Sequence, residues 1–418
     1  MSRISTTFNQ SVSFPQTIVL LFCTSWLAAC AKKSSSLEAT PSKSLVLERS
    51  APLTRVPLEI RMSKLFVTAT VEDQTREFIF DTGSPTILSR ELADALELEY
   101  TGSNTGQDAN GSMVTMDTAV VPSLTLGDLT FHQVPVLVFD FDQLYLGSCM
   151  FDGGVLGSEL LPGSVWRFDT ENGLLQIADA SQVSTPSPTL SAPMTDMGYP
   201  HYPVVDYEVG DVTDKAIFDT GNSGELVVFS RVMQDPTVQA HVVSGSVRRG
   251  AGSDGVSAGG AGPIRELTYF SLSDVSVGGL RLNTLKASTR DIAPTLLGAG
   301  LFDRYVVTLD GVRQRFILEE RTFPTPSHQE VGYTVTLEEI GTRVTQLFDS
   351  SSAAKAGLQL GDQVLTINGY AVDGPEAPER CELNTLLRER IDWSTDVTLT
   401  VKREAEEFTL QIPSIPQD

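Results

Sequence analysis

The pentapeptide Ile79-Phe80-Asp81-Thr82-Gly83 returns as Ile217-Phe218-Asp219-Thr220-Gly221, and no other feature constrains the fold as much. Self-similarity of this kind points to two equivalent units rather than one continuous domain. The parallel extends beyond the pentapeptide. Each copy follows two β-rich runs, 65–71 and 77–80 or 204–209 and 215–218, around a polar turn at Glu72-Asp73 or Gly210-Asp211. Such patterns read as hairpins. Downstream, Leu124-Thr125-Leu126-Gly127-Asp128-Leu129 corresponds to Val275-Ser276-Val277-Gly278-Gly279-Leu280, and Val155-Leu156-Gly157 to Leu296-Leu297-Gly298. Asp169 follows Gly157 by 12 positions and Asp310 follows Gly298 by 12, each ahead of a turn and one more strand.

The copies differ in one interval. Gly127 lies 46 residues after Asp81, whereas Gly278 lies 59 after Asp219, and the surplus matches the Gly/Ser/Ala-rich stretch 250–262. An insertion of that composition is expected to be a loop. Pro186, Pro188 and Pro193 mark a linker at 181–196 between the copies. The first lobe therefore spans 56–180 and the second 197–321, both predominantly β. The best short helix is 89–98, with Ser89 as its N-cap.

Asp81 and Asp219 are the candidate catalytic groups. Two carboxylates brought face to face cannot both ionise easily, so they share a proton. One can then take a proton from water while the other donates to a carbonyl oxygen, which is what peptide hydrolysis needs. Gly83 and Gly221 permit tight turns and close backbone approach. Thr82 and Thr220 carry hydroxyls able to bond across a lobe interface. With these residues the chain resembles the aspartic peptidases, more the retroviral type and its bacterial relatives than pepsin. The resemblance covers 56–321. It implies a bilobal β fold, a dyad of Asp81 and Asp219, threonines that lock the lobes, and flaps over the cleft. Candidate flaps are 107–113 and 250–262. Both halves lie in one chain, so oligomerisation is not required for the dyad.

After 328 the pattern changes. The run Ala353-Ala354-Lys355-Ala356-Gly357-Leu358, followed by Gly361-Asp362-Gln363-Val364-Leu365-Thr366-Ile367-Asn368-Gly369, resembles a PDZ domain of the bacterial kind over 329–413. That resemblance implies a peptide added as an extra strand, with its terminal carboxylate held in main-chain N–H groups. The loop would be Gly332-Tyr333-Thr334, beside a helix over 379–391. Leu383, Leu386 and Leu387 fall at helical spacing there and are read as core before groove. The module is expected to recruit substrate and to take no part in the chemistry.

The N-terminus reads as an address. Residues 17–29 are almost all apolar, too short a run to span a bilayer but suited to a signal peptide within 1–29. The run ends Leu27-Ala28-Ala29-Cys30, which resembles a bacterial lipoprotein box and implies lipidation at Cys30. Ordinary cleavage at Ala29-Cys30-Ala31 is the alternative. Residues 30–55 then form a tether to the first lobe. A net charge of −23 argues against nucleic acid as partner. Cys149 and Cys381 are far apart and assigned to different domains. His132, His201, His241 and His328 are scattered and give little support to a metal site or a Ser–His pair. No cofactor is expected. The sequence therefore predicts an exported, membrane-tethered endopeptidase acting on polypeptides at the bacterial cell envelope, facing the periplasm. The alternative is a non-catalytic peptide-binding lipoprotein on the same scaffold.

Overall fold

The computed structural model describes residues 45–182, 191–197, 201–323 and 331–414. Cys30, the apolar leader and most of the expected tether lie outside the described residues. The chain is mostly β, and its first two units are built to one plan. In lobe one, strand Lys64–Val71 turns at Glu72 (φ 55°) into Gln74–Phe80 with Val71 opposite Gln74. In lobe two, Val204–Val209 turns at Gly210 (φ 60°) into Val212–Asp219 with Val209 opposite Val212. The Val-Leu-Gly and Leu-Leu-Gly elements then enter in one register. Gly154–Leu156 runs parallel to Gln74–Phe80, with Val155 beside Ile79, and antiparallel to Ile87–Ser89, with Val155 beside Ile87. Thr295–Gly298 sets Leu296 beside Ile217 and Val227 in the same two ways. Each such strand is buried against neighbours on both edges, which explains its unbroken apolar run.

A six-stranded sheet joins the lobes. Its order is Ser191–Pro193, Arg315–Glu320, Tyr305–Asp310, Val165–Asp169, Leu174–Ala178, Leu53–Pro57. Trp166 of one lobe faces Leu309 of the other at its centre. Above it Phe80, Trp166, Phe168, Phe302, Phe218 and Phe316 form a chain of ring contacts from lobe to lobe, with centroid spacings of 5.2–5.9 Å. Burying each such side chain stabilises by roughly 1.5–3 kcal/mol, so the lobes share one core. The repeated Asp169 and Asp310 are structural. Each carboxylate accepts main-chain N–H groups of its own turn, from Asn172 at 3.2 Å and from Val312 and Arg313 at 3.0 and 2.8 Å.

Three expectations about boundaries change. The end of the expected tether is strand: Val46–Arg49 pairs with Leu129–Phe139, and Leu53–Pro57 with Leu174–Ala178. The expected linker contributes Ser191–Pro193 to the joining sheet. The helix under Ser89 is shorter than 89–98, running Arg90–Ala95 with Leu92 N–H donating to the Ser89 Oγ. It stops because Glu97 turns left-handed (φ 50°) and Leu98 N–H closes back on the Ala93 carbonyl.

Residues 331–414 have their own hydrophobic core, around Val335, Val344, Ile367, Leu383 and Leu399. This unit is nevertheless joined to both lobes. The glycine-rich stretch expected as a loop begins as strand Arg248–Gly252, which pairs with Gly341–Phe348 (Gly250 opposite Phe348, Ala251 opposite Leu347). One sheet thus runs from lobe two into the C-terminal unit. Gly250 and Gly252 are needed there, because a Cβ on either would strike the Leu347 or Thr345 carbonyl oxygen at 2.3 or 2.4 Å. On the other side Cys149 of lobe one forms a disulfide with Cys381, closing a sequence separation of 232. Tyr145 and Leu146 pack on the unit's core, and Arg380 lies over the Tyr145 ring at 5.3 Å. No helix among the described residues is long and apolar enough to cross a membrane.

Candidate active site

Each catalytic candidate sits where a buried strand ends. Asp81 follows Gln74–Phe80 and donates its N–H to the Leu156 carbonyl at 2.9 Å. Asp219 closes Val212–Asp219 beside Gly298. The turn that follows folds back on each carboxylate. Gly83 N–H donates to Asp81 Oδ1 and Gly221 N–H to Asp219 Oδ1, both at 2.9 Å.

The two carboxyls are in hydrogen-bonding reach of each other, and the glycines explain how they come so close. A Cβ on Gly83 would lie 2.5 Å from Asp219 Cγ, and one on Gly221 would lie 2.3 Å from Asp81 Oδ2. Any side chain at either position would displace the opposite acid. Thr82 and Thr220 are fully buried and lock the lobes reciprocally. The Thr82 hydroxyl donates to the Phe218 carbonyl (2.6 Å) and accepts from Thr220 N–H (3.1 Å). The Thr220 hydroxyl donates to the Phe80 carbonyl (2.7 Å) and accepts from Thr82 N–H (3.0 Å).

Burial pushes the Asp81 carboxyl up to about 7, and the adjacent Asp219 charge acts in the same direction. Gly83 N–H and the charge of Lys64 oppose the rise. Asp81 therefore keeps a proton into the neutral range. Lys64 had no signal in the sequence. It reaches across the interface to donate to the Gly221 carbonyl, which sets its ammonium beside the dyad.

Both candidate flaps are present, and their tips meet. The Asp108 carboxylate accepts Asn110 and Ser112 N–H of its own turn, at 3.0 and 2.7 Å, and also Ser257 Oγ–H and Gly259 N–H of lobe two, at 2.5 and 2.8 Å. The Asn110 side-chain amide donates to the Gly260 carbonyl at 3.3 Å. Ala258, at the lobe-two tip, packs against a lobe-one apolar cluster containing Ile87, Leu137, Phe139 and Val155. The two tips are thus joined through polar contacts.

Two further groups beside the dyad are structural. Ser158 Oγ lies 3.0 Å from His201 Nδ1, a pair the sequence did not suggest. Ser158 is wholly buried, so it cannot meet a substrate as nucleophile, and burial lowers the His201 pKa. Glu159 Oε1 accepts Thr86 N–H at 2.9 Å while Oε2 is shut off from solvent without a partner among the described residues, and burial raises its pKa. Among the described residues no cluster of three or more His, Cys, Asp or Glu could hold a metal ion.

In the C-terminal unit, Gly332 is left-handed (φ 77°), and its carbonyl accepts Phe348 N–H at 2.9 Å. The Tyr333 side chain, expected at a peptide-binding loop, is instead core. It is 5% exposed, and its ring meets Trp393 edge-on at 5.7 Å. Thr334 Oγ1 donates to Gln346 Oε1 at 2.9 Å. Leu383 and Leu387 are buried and Leu386 packs against them, as a core reading requires. The segment Gly332-Tyr333-Thr334 is left with main-chain groups to offer a ligand. Strand Tyr333–Glu338 is paired only to Gly341–Phe348 among the described residues, and the helix Arg380–Thr385 packs beside it.

Residues 67–160 match a family model described as "Aspartyl protease". Among solved structures the chain is similar to an aspartic proteinase from Irpex lacteus, at 14% identity and a TM-score of 0.40, over 66% of this chain and 100% of that one. No curated protein matches.

Proposed function

We propose that this chain is an aspartic-type endopeptidase in which Asp81 and Asp219 activate water between them. The observation that carries this reading is the carboxyl pair itself. Two acids from equivalent turns of two lobes lie in hydrogen-bonding reach, and only glycine on either side leaves room for them. Asp81, raised and protonated, donates to the scissile carbonyl oxygen. Asp219 takes the proton from water as its oxygen attacks the carbonyl carbon. The geminal diol then collapses, the amine leaves with a proton, and the dyad returns to its starting state. The joined flaps exclude bulk water, which strengthens each of these interactions.

The remaining parts of the proposal concern delivery. Strand Tyr333–Glu338, with one edge unpaired among the described residues and a helix alongside, suits the addition of a peptide strand, so the C-terminal unit is proposed to recruit polypeptide substrates as a PDZ domain does. Cys30 is proposed as the lipid anchor at the cell envelope.

The deciding experiment is turnover of a fluorogenic peptide library. Asp81→Asn and Asp219→Asn should each abolish hydrolysis, and the double variant should lose nothing more, because the two acids act as one unit. Retained activity in either single variant removes the dyad. Peptide binding by the wild type without any cleavage identifies the chain as the non-catalytic binder.

A further inference from the structure

The two lobes are equivalent at the dyad but not at the walls beside it. In lobe one, the register sets Ile87 beside Val155 on one edge and beside Leu137 on the other, with Phe139 two residues on. In lobe two, the same register sets Val227 beside Leu296 and Ser288, with Arg290 two residues on. Position by position, Ile87, Val155, Leu137 and Phe139 are replaced by Val227, Leu296, Ser288 and Arg290. The lobe-one wall is wholly apolar and is covered by its own chain. Phe141, Leu144 and Phe151 close over it, the Phe141 and Phe151 rings stacked at 4.2 Å. The corresponding lobe-two residues are all only half-buried.

Arg290 stands in that open wall where lobe one has a phenylalanine. Paired with Phe229 at the end of its strand, it feels the charges of both Asp219 and Asp254. It makes no side-chain hydrogen bond or ion pair with another described residue. The adjacent Arg265 differs: it binds Asp254 through Nε at 2.7 Å, approaches Asp291 at 3.7 Å, and donates to the Thr289 carbonyl. Asp254 and Asp291 are thus engaged by Arg265, and Arg290 keeps a partly desolvated guanidinium that no carboxylate bonds among the described residues. A partly desolvated cation with no bonded counter-ion favours a site that an anion completes. In a chain with 53 acidic and 30 basic residues such an arginine is no part of a general basic surface.

We infer that the lobe-two subsite beside the dyad takes a carboxylate of the substrate through Arg290, so that the enzyme cuts beside an acidic residue. The planar guanidinium fits a carboxylate with two parallel hydrogen bonds. The carboxylate is supplied by a Glu or Asp side chain or by the peptide's own C-terminus. This inference rests on the peptidase reading above.

The test uses amidated peptides identical except for Glu, Gln or Lys next to the scissile bond, with a free-acid peptide ending at that position as the second carboxylate source. The full chain should cleave the Glu peptide about ten- to a hundredfold faster than the Gln peptide in kcat/KM, as charge-assisted hydrogen bonds allow. Arg290→Met should erase that ratio by slowing the Glu peptide and sparing the Gln peptide. Arg290→Glu should reverse it in favour of Lys, an outcome that misfolding cannot produce. A free-acid peptide preferred over every amidated one assigns the carboxylate to the chain end. Equal rates for Glu and Gln, or an unchanged ratio in Arg290→Met, overturn the inference. Binding of uncleavable reduced-amide analogues, measured by calorimetry, separates the two readings. An Arg290-dependent Glu preference in binding without any cleavage rejects only the peptidase reading. Cleavage without charge preference rejects only the acidic subsite.

Discussion

Replacing Thr82 by Val keeps the shape of a fully buried side chain and removes one hydroxyl. That hydroxyl donates to the Phe218 carbonyl and accepts from Thr220 N–H, and no water can reach either group. Two main-chain groups are therefore stranded in the interface. Leaving a buried donor or acceptor unmade costs about 1–3 kcal/mol, so the variant should lose about 2–6 kcal/mol. Whole-domain stability is about 5–15 kcal/mol, so this single oxygen supports a large share of it. Urea unfolding followed by tryptophan fluorescence suits the measurement, because Trp166 sits at the centre of the sheet joining the lobes. Thr82→Ser keeps the hydroxyl and gives up one methyl group, worth about 1 kcal/mol. Adding Thr220→Val should cost less than it does alone, since the two residues belong to one network. A Thr82→Val protein within about 0.5 kcal/mol of wild type, inside the spread of ordinary surface substitutions, would refute the reasoning. So would a Thr82→Ser protein as unstable as Thr82→Val.

The proton that Asp81 holds up to about 7 sets the alkaline limit of turnover: activity should persist below that pH and fall as pH rises through it. Lys64→Met removes a charge that opposes the rise, so the alkaline limb of the pH–rate profile should move to higher pH; a limb that stays or moves down contradicts the assigned role. Opening the Cys149–Cys381 bond by Cys381→Ser frees a separation of 232 residues, for which chain entropy gives up to about 5 kcal/mol, and thermal melts with and without reductant should show the loss. Deleting 331–414 should slow cleavage even of short peptides, because strand Arg248–Gly252 at the base of the lobe-two flap loses one of its two partners; full activity on short peptides would confine the unit to recruitment.

The dyad, its glycines and its threonines were legible because hydrolysis by paired acids fixes residue types at fixed spacing, and the chain states them twice. The correspondence of Val155-Leu156-Gly157 with Leu296-Leu297-Gly298 was legible for the same reason, and their strand register was not. Lys64 was not legible: it comes from a hairpin 17 residues before Asp81, and only the folded interface brings its ammonium to Gly221. Cys149 and Cys381 carry no pairing signal, since a bond across 232 residues depends on how two units dock and not on local pattern. The stretch 250–262 misled through composition. Its glycines look like loop, yet Gly250 and Gly252 serve a close approach of two strands. Arg290 was invisible for a further reason. A lone arginine at a strand end means nothing until the lobe-one register shows what it replaces.

Duplication explains why the two turns stay alike while the walls beside them differ. The two turns must stay alike, because each glycine makes room for the other lobe's acid and each threonine satisfies the other lobe's main chain. A change in one copy is at once a fault in both. The walls carry no such reciprocity. Phe139 belongs to a cluster closed mainly by Phe141 and Phe151 of its own lobe, with Ala258 of the lobe-two tip packed against it. Arg290 can therefore stand at the matching position without disturbing the dyad's geometry. The same freedom extends to the flaps. Only the lobe-two copy acquired the longer hairpin, and its base strand became the edge on which the C-terminal unit docks, while its tip reaches Asp108 of the first lobe. The sheet of the C-terminal unit thus continues into the lobe-two hairpin whose tip meets the first lobe. The C-terminal unit and the lobe-two hairpin are joined through three residue pairs, Gly250 with Phe348, Ala251 with Leu347 and Gly252 with Gln346.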